Sequence, residues 1–134
     1  MKKEYFPHYK CCTRLAPSKV HGVGVFAICK IKKGTYIFYD DNEPLYEVSI
    51  DKTKKLSKNL QKLYEDFCPI KDDKYLCPTN FNKLTLAWYL NHSNSPNVDC
   101  NENYMFYANR DIKIGEELTV DYSTYDPTWD ESKL

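Results

Sequence analysis

The sequence lacks the features that mark membrane proteins, secreted proteins and repeat proteins. No apolar run approaches the ~20 residues that a membrane-spanning helix needs. The first residues contain no apolar stretch of the kind found in secretory signals, so we expect an intracellular protein. No internal repeat or linker-like segment occurs. We therefore expect one domain over residues 1–134, with a core over 14–125 and a tail over 126–134.

The sequence also lacks cysteine pairs with the spacing of a zinc site. It has six cysteines but no Cys-x-x-Cys pair, Cys11 and Cys12 are adjacent, and no cysteine follows Cys100. Since no secretory signal is visible, free thiols are the expected state. Cys68 and Cys77 bracket a short loop, and this spacing allows them to lie near each other. We expect no metal site.

The net charge is zero, but the basic and acidic residues are unevenly distributed along the chain. Residues 1–37 carry eight Lys or Arg against one Glu, whereas residues 99–134 carry three against nine Asp or Glu. A nucleic-acid-binding domain is usually net basic, so direct binding to nucleic acid is not expected. An acidic surface near the C-terminus would attract a basic peptide. The alternative is ordinary solvated surface whose two halves neutralise each other across the fold.

Short strands and tight turns dominate the predicted secondary structure. Runs of β-branched and aromatic residues between turn residues predict strands and a hairpin. The strands are expected at 23–29, 35–39, 45–50, 75–77 and 118–122, and the hairpin at 97–100 and 104–108. A helix is predicted over 52–67, and its apolar face consists of Leu56, Leu60, Leu63 and Phe67. Residues 81–90 are expected to be helical or 3-10. The fold class is therefore mostly β with few short helices.

Three segments carry groups suited to binding a small polar molecule. Residues 21–24 read His-Gly-Val-Gly, residues 91–97 read Asn-His-Ser-Asn-Ser-Pro-Asn, and residues 115–122 read Gly-Glu-Glu-Leu-Thr-Val-Asp-Tyr. Glycines let a ligand approach the backbone closely. Asn91 and His92 stand where an aromatic-rich run ends and a turn begins. A plain turn whose Asn and His cap a helix is the alternative for the second segment.

In this order the three segments resemble the SET-domain family of protein-lysine methyltransferases, over roughly residues 14–125 with a diverged middle. The resemblance implies a β-clip fold of several small sheets with a C-terminal pseudoknot, and S-adenosylmethionine as the cofactor. The implied substrate is a lysine of a histone tail or another basic protein. One alternative is a catalytically inactive module on the same fold that binds a basic peptide or a partner protein. Another is a methyltransferase for a different amine.

The resemblance also implies roles for individual residues. Tyr122 is the expected catalytic residue, and Tyr39 and Val120 are expected in the substrate-lysine channel. The expected cofactor-binding residues are Gly22, Val23, Gly24, Tyr89, Asn91 and His92.

Several positions depart from the family pattern. The family commonly has an Arg-Phe pair where this chain has Trp88 and Tyr89. Val120 stands where the family often has Phe or Tyr, a position that limits how many methyl groups fit. Of Glu116 and Glu117, at least one is expected to be solvent-facing and structural.

Many family members end in a cysteine cluster that binds zinc, and this chain has no such cluster. Another part of the chain must then cover the cofactor. Tyr125 and Trp129 are the only large aromatic residues after the expected catalytic strand, and Pro127 between them stiffens the chain. We therefore expect the tail to act as an aromatic lid, with Trp129 as a further cofactor-binding residue.

Overall fold

The computed structural model describes residues 6–130, which form three small sheets joined by short helices and turns. Residues 131–134 of the predicted lid lie outside the described part. The strands are β1 (Thr13–Pro17), β2 (Val23–Ala27), β3 (Tyr46–Ser49), β4 (Ile70–Lys71), β5 (Lys74–Cys77), β6 (Asn91–His92), β7 (Val98–Cys100), β8 (Phe106–Ala108) and β9 (Glu117–Val120). The helices are α1 (Ile50–Thr53) and α2 (Lys58–Phe67), with 3-10 turns at Phe81–Lys83, Leu86–Tyr89 and Tyr122–Thr124.

The largest sheet has the strand order β1-β2-β9-β6. Strand β2 pairs antiparallel with β1 on one side and with β9 on the other. Strand β6 pairs parallel with β9, so that Asn91 lies opposite Thr119 and His92 opposite Val120. This order brings the segments 21–24, 91–97 and 115–122 together, although they are far apart in the sequence.

The second sheet, β3-β5-β4, belongs to an insert over residues 46–77 that also contains both helices. The third sheet is the hairpin of β7 and β8, which confirms the predicted hairpin with slightly shorter strands. At its tip the Asn101 side-chain oxygen accepts hydrogen bonds from the backbone N–H groups of Asn103 and Met105, at 2.9 and 3.0 Å. These bonds to the Asn101 side chain take the place of hydrogen bonds between strands, which the residues of the turn cannot form.

Two hydrophobic clusters hold the described residues together. The main cluster lies under the largest sheet, where Val25 and Leu118 are fully buried and face each other across β2 and β9. The smaller cluster, around Cys68, Tyr75 and Cys77, anchors the insert. The fold is thus mostly β, as predicted. The predicted threading of the C-terminal segment stays a prediction.

The predicted single helix over 52–67 is wrong, because the structure divides it into α1 and α2. The Ser57 hydroxyl accepts a hydrogen bond from the backbone N–H of Leu60 at 3.3 Å and so caps α2. A residue that caps the start of a helix has an extended backbone. The helical conformation therefore cannot continue from α1 through Ser57 into α2. The apolar spacing that predicted the helix continues across this break, which is why the pattern did not reveal it.

The predicted strand over 35–39 is also wrong. Only Tyr36 makes a bridge, to Tyr107, and the chain then turns, with the Asp41 N–H donating to the Phe38 carbonyl at 3.0 Å. Asp40 completes this turn with a positive φ of 65°. Aspartate tolerates that left-handed conformation better than most residues.

The cysteines differ in part from expectation. Cys12 and Cys29 form a disulfide in the structure, whereas we predicted free thiols. Pairing of β1 with β2 places the two Cα atoms 5.1 Å apart at the end of the ladder, within the usual disulfide range. Cys68 and Cys77 are free and lie together in the smaller cluster. A hydrogen bond from the Cys68 thiol to Cys77 raises the pKa of Cys68.

Between residues 6 and 130, no helix has the length and apolar character required to cross a membrane.

We predict that Leu118→Ala lowers the free energy of unfolding by about 2–5 kcal/mol, because it removes a fully buried side chain from the main cluster. The control is Ile114→Ala, since Ile114 is 69% exposed and its truncation should change stability by less than about 0.5 kcal/mol. Urea unfolding followed by circular dichroism measures both. Equal losses in the two variants would contradict the placement of Leu118 in the core.

Candidate functional site

A cavity of about 1070 Å³ opens between the largest sheet, the insert and the tail. It is at the upper end of the volumes that ligand pockets occupy, with room for a cofactor and a substrate side chain. Of the residues predicted to form the site, the cavity wall contains Asn91, His92, Tyr122 and Trp129.

Asn91, only 7% exposed, is held through its side-chain Nδ2. The two hydrogens of Nδ2 are shared among three acceptors, the carbonyl oxygens of His21 (3.0 Å) and Val23 (3.2 Å) and Oε2 of Glu117 (2.8 Å). All the hydrogen bonds that this amide makes within the described residues use Nδ2. Its Oδ1 therefore remains to accept a hydrogen bond from a ligand.

Glu117, the first residue of the inner strand β9, orients the Asn91 side chain. The Ser18 hydroxyl donates to both carboxylate oxygens of Glu117, at 2.7 and 2.9 Å. A Cβ added at Gly24 would lie 2.3 Å from Oε2, so the carboxylate occupies the space that this glycine leaves open. Gly24 thus allows a close approach of a side chain of the same chain, in addition to any ligand.

Glu116 confirms the expectation that one of the two glutamates is structural. Its carboxylate accepts hydrogen bonds from the Lys113 backbone N–H at 3.0 Å and from Arg110 at 3.2 Å. The backbone bond from Lys113 and the Arg110 guanidinium lower the pKa of the Glu116 carboxyl. This residue closes the turn before β9 and does not line the cavity.

His92 is held in one neutral tautomer. Its Nδ1 accepts the backbone N–H of Tyr122 at 3.1 Å, so the proton is on Nε2, which donates to the Asn94 side-chain oxygen at 2.9 Å. Asp121 lies 3.8 Å from Nδ1, but an unprotonated Nδ1 forms no ion pair with it. Two hydrogen bonds therefore fix the position of the His92 ring.

Tyr122 connects the last strand to the segment before β6. Its hydroxyl donates a hydrogen bond to the Leu90 carbonyl. Burial, followed by the negative charge of Glu117, raises the pKa of Tyr122 to about 12, so this side chain is a neutral phenol near neutral pH. With its proton committed to Leu90, the hydroxyl oxygen keeps lone pairs that can accept a hydrogen bond in the cavity.

Trp129 covers His92. The two ring centroids are 3.9 Å apart with the planes 36° from parallel, and the edge of Trp129 meets Tyr122 at 5.7 Å. The ring of Tyr125 lies 6.1 Å from that of Tyr122 and 6.3 Å, edge-on, from that of Phe106. Burial raises the pKa of Tyr125 well above its ordinary value. The aromatic residues of the tail therefore form one wall of the cavity.

Other predicted site residues lie elsewhere. Tyr39 lies in the turn after Phe38, exposed and against Tyr9 at 5.5 Å, so it does not line the cavity. Val120 is buried in the main cluster. Tyr89 packs edge-on against Phe67 at 5.7 Å and does not itself line the cavity.

The glycine segment contributes through its neighbours. Val20 and His21 line the cavity, whereas Gly22, Val23 and Gly24 lie beside it, with the Val23 carbonyl bonded to Asn91. Their contact with a cofactor stays a prediction.

Sequence reasoning missed several residues that line the cavity. They are His21, Tyr36, Phe38, Trp88 and Phe106. For Tyr36 and Phe38 the predicted strand over 35–39 offered a signal, because alternate positions of a strand share one face and that face excludes Tyr39. Of that strand, only the bridge at Tyr36 forms. For Trp88 the signal would have been the short 3-10 turn, which decides whether residue 88 or residue 89 faces the cavity.

Comparison with known proteins matches this chain to one family. The family model described as SET domain matches residues 22–123. The H3 lysine-4-specific histone-lysine N-methyltransferase of Schizosaccharomyces pombe is 29% identical over 113 residues, which cover 79% of this chain and 12% of that protein. The histone-lysine N-methyltransferase trr of Drosophila melanogaster is 33% identical over 116 residues, which cover 81% of this chain and 5% of that protein. The chain thus spans a small part of these relatives.

Solved structures show the same fold. A Plasmodium falciparum protein named as a histone methyltransferase aligns with a TM-score of 0.54 and 21% identity, over 84% of this chain and 93% of its own. A humanized mutant of the Polycomb Repressive Complex 2 of Chaetomium thermophilum aligns with a TM-score of 0.57 and 20% identity, over 88% of this chain and 16% of its own.

We predict that Gly24→Ala destabilises the protein by about 1–3 kcal/mol, because the new methyl group displaces the Glu117 carboxylate. The control is the same substitution in a Glu117→Ala background, where the nearest obstacle is gone and only Asn91 Nδ2, at 3.1 Å, stays close, so the cost should fall clearly. Thermal or urea unfolding of the four proteins in this cycle measures the coupling. A cost of Gly24→Ala that is equal in both backgrounds would contradict the contact.

Proposed function

Because the chain belongs to the SET-domain family, whose matched relatives are histone-lysine methyltransferases, we propose that it is an S-adenosylmethionine-dependent protein-lysine N-methyltransferase. We propose a histone or another basic protein as its substrate. The observation that carries this proposal is the meeting of Asn91, Tyr122 and Trp129 on the wall of one cavity. These residues supply a binding amide, a neutral phenol and an aromatic cover.

The residues at the cavity wall fit the proposed cofactor. S-adenosylmethionine supplies a reactive methyl group on a positively charged sulfur when it is bound. Asn91 presents Oδ1 as an acceptor because its Nδ2 is already bonded, and this suits the ammonium group of the cofactor's amino-acid end. His92 and the backbone of Gly22, Val23 and Gly24 complete this end of the proposed site. Trp129 offers an apolar face and thereby excludes water.

Tyr122 is the residue to which we assign catalysis. Transfer of a methyl group to an amine requires an unprotonated amine, held in line with the reacting carbon. The apolar surroundings that raise the pKa of Tyr122 disfavour the ammonium form of a substrate lysine in the same way. The Tyr122 oxygen, whose proton is bound to the Leu90 carbonyl, then accepts a hydrogen bond from the amine and orients its lone pair.

The charge of the cavity supports a basic substrate. Among the described residues that line it, six are carboxylates and one is a lysine. The lysine, Lys62, forms an ion pair with Asp66 at 3.2 Å and adds little free positive charge. Glu65 and Glu102 come from the insert and from the hairpin tip, so the negative potential spans two walls. A peptide with Lys or Arg beside the target lysine would be attracted to such a surface.

The direct test of the proposed function is methyl transfer. The protein is incubated with isotope-labelled S-adenosylmethionine and a panel of histones, basic peptides and acidic peptides, and the product is located by mass spectrometry. We expect label on lysine of the basic substrates. Label on another amine would indicate a different substrate class. Cofactor binding without transfer would favour an inactive binding module.

We predict that Tyr122→Phe lowers the rate constant of methyl transfer roughly 100-fold and leaves the Michaelis constant for the cofactor within about threefold. The substitution removes one hydroxyl and keeps the ring that packs against His92 and Trp129. Tyr64→Phe is the control, because Tyr64 packs in the smaller cluster and does not itself line the cavity. Initial-rate kinetics distinguish the two. A Tyr122→Phe enzyme as fast as the control would exclude the catalytic assignment.

A further inference from the structure

Asp126 is a buried carboxylate at the junction of the tail and the insert. Only 7% of this residue is exposed. Its Oδ2 accepts the backbone N–H of Ile70, in strand β4 of the insert, at 3.0 Å. Its Oδ1 accepts the backbone N–H and the hydroxyl of Thr128, at 2.9 and 2.6 Å. One side chain therefore binds two segments that are 56 positions apart in the sequence.

No ion pair between residues 6 and 130 neutralises this carboxylate. A buried charge is costly unless hydrogen bonds satisfy it, and here three N–H and O–H donors do so. Hydrogen bonds to a charged acceptor are about twice as strong as neutral ones. One of these charge-assisted bonds, from the Ile70 N–H, therefore joins the tail to the insert, while the two from Thr128 hold the carboxylate in place within the tail.

The backbone of Asp126 fixes the aromatic lid. Its N–H donates to the Tyr122 carbonyl at 2.9 Å, and its carbonyl accepts the N–H of Trp129 at 3.1 Å. The turn that begins at Asp126 therefore decides where the Trp129 ring lies, and it lies on His92. Ile70, at the other end of the contact, also lines the cavity.

We propose that Asp126 is a positioning residue: it latches the tail to the insert and so holds Trp129 over the cofactor site. This inference rests on the proposed function, because it assigns the latched cavity to S-adenosylmethionine. Release of the latch separates two walls of the cavity without removing a group that touches the reacting atoms. The cofactor is then bound more weakly, while bound cofactor reacts at the normal rate.

The test is Asp126→Asn, which keeps the size of the side chain but replaces one acceptor oxygen by a donor. We expect the dissociation constant for S-adenosylhomocysteine, measured by calorimetry, to rise roughly tenfold. The Michaelis constant for S-adenosylmethionine should rise with it, and the rate constant at saturation should stay within about twofold. A merely structural defect would instead lower the active fraction at an unchanged Michaelis constant.

A second readout needs no cofactor. In a Trp88→Phe background Trp129 is the only tryptophan, and Asp126→Asn should increase quenching of its fluorescence by acrylamide about twofold or more. If wild-type protein binds no cofactor but this quenching increases, the proposed function is wrong and the latch stands. The matched control is Asp111→Asn, because the exposed Asp111 carboxylate also accepts a backbone N–H, from Lys33, at 2.9 Å. It should change neither quenching nor affinity.

Wild-type quenching and wild-type affinity in folded Asp126→Asn protein would overturn the proposal. If Asp126→Asn does not fold, Thr128→Val decides, because it removes a single donor to Oδ1 and keeps the bond to Ile70. It should raise both the quenching and the dissociation constant, by smaller factors. Unchanged values in that variant would equally overturn the latch.

Discussion

The parallel pairing of β6 with β9 is the contact on which the site depends. The two residues of β6 pair with the end of β9, so that Asn91 lies beside Thr119 and His92 beside Val120. Since β9 is also paired with β2, the glycine segment, the Asn-His pair and Tyr122 meet at one end of three neighbouring strands. Each of these segments is too short to form a stable element alone. The site therefore exists only in the folded domain.

Around that pairing, polar side chains replace part of the usual strand ladder. Asn97 donates to the Glu117 carbonyl and accepts the Thr119 N–H, both at 2.9 Å, so a side chain extends the hydrogen bonds of β9. Glu117 in turn binds Asn91, in β6, and Ser18, directly after β1. Buried polar networks of this kind specify one arrangement when every member is satisfied. In this protein the network orients the amide that faces the cavity.

Much of the fold and part of the site were predictable from the sequence. The three segments are local in the chain, and their order indicated both the family and the positions of Asn91, His92 and Tyr122. The errors arose where competing local contacts decided the structure, as at the Ser57 cap and at the turn through Asp40. The roles of Glu117 and Asp126 rest on partners 99 and 56 positions away. No local pattern in the sequence encodes such contacts.

We propose that one cavity binds S-adenosylmethionine between Asn91 and Trp129 and presents Tyr122 to a lysine. The decisive experiment is a crystal structure of the protein with S-adenosylhomocysteine and a lysine peptide. We expect the amino-acid end of the cofactor at Asn91, Trp129 in contact with the cofactor, and the lysine amine within hydrogen-bond distance of the Tyr122 hydroxyl. Cofactor bound elsewhere, or a lysine remote from Tyr122, would show that the proposed site is wrong.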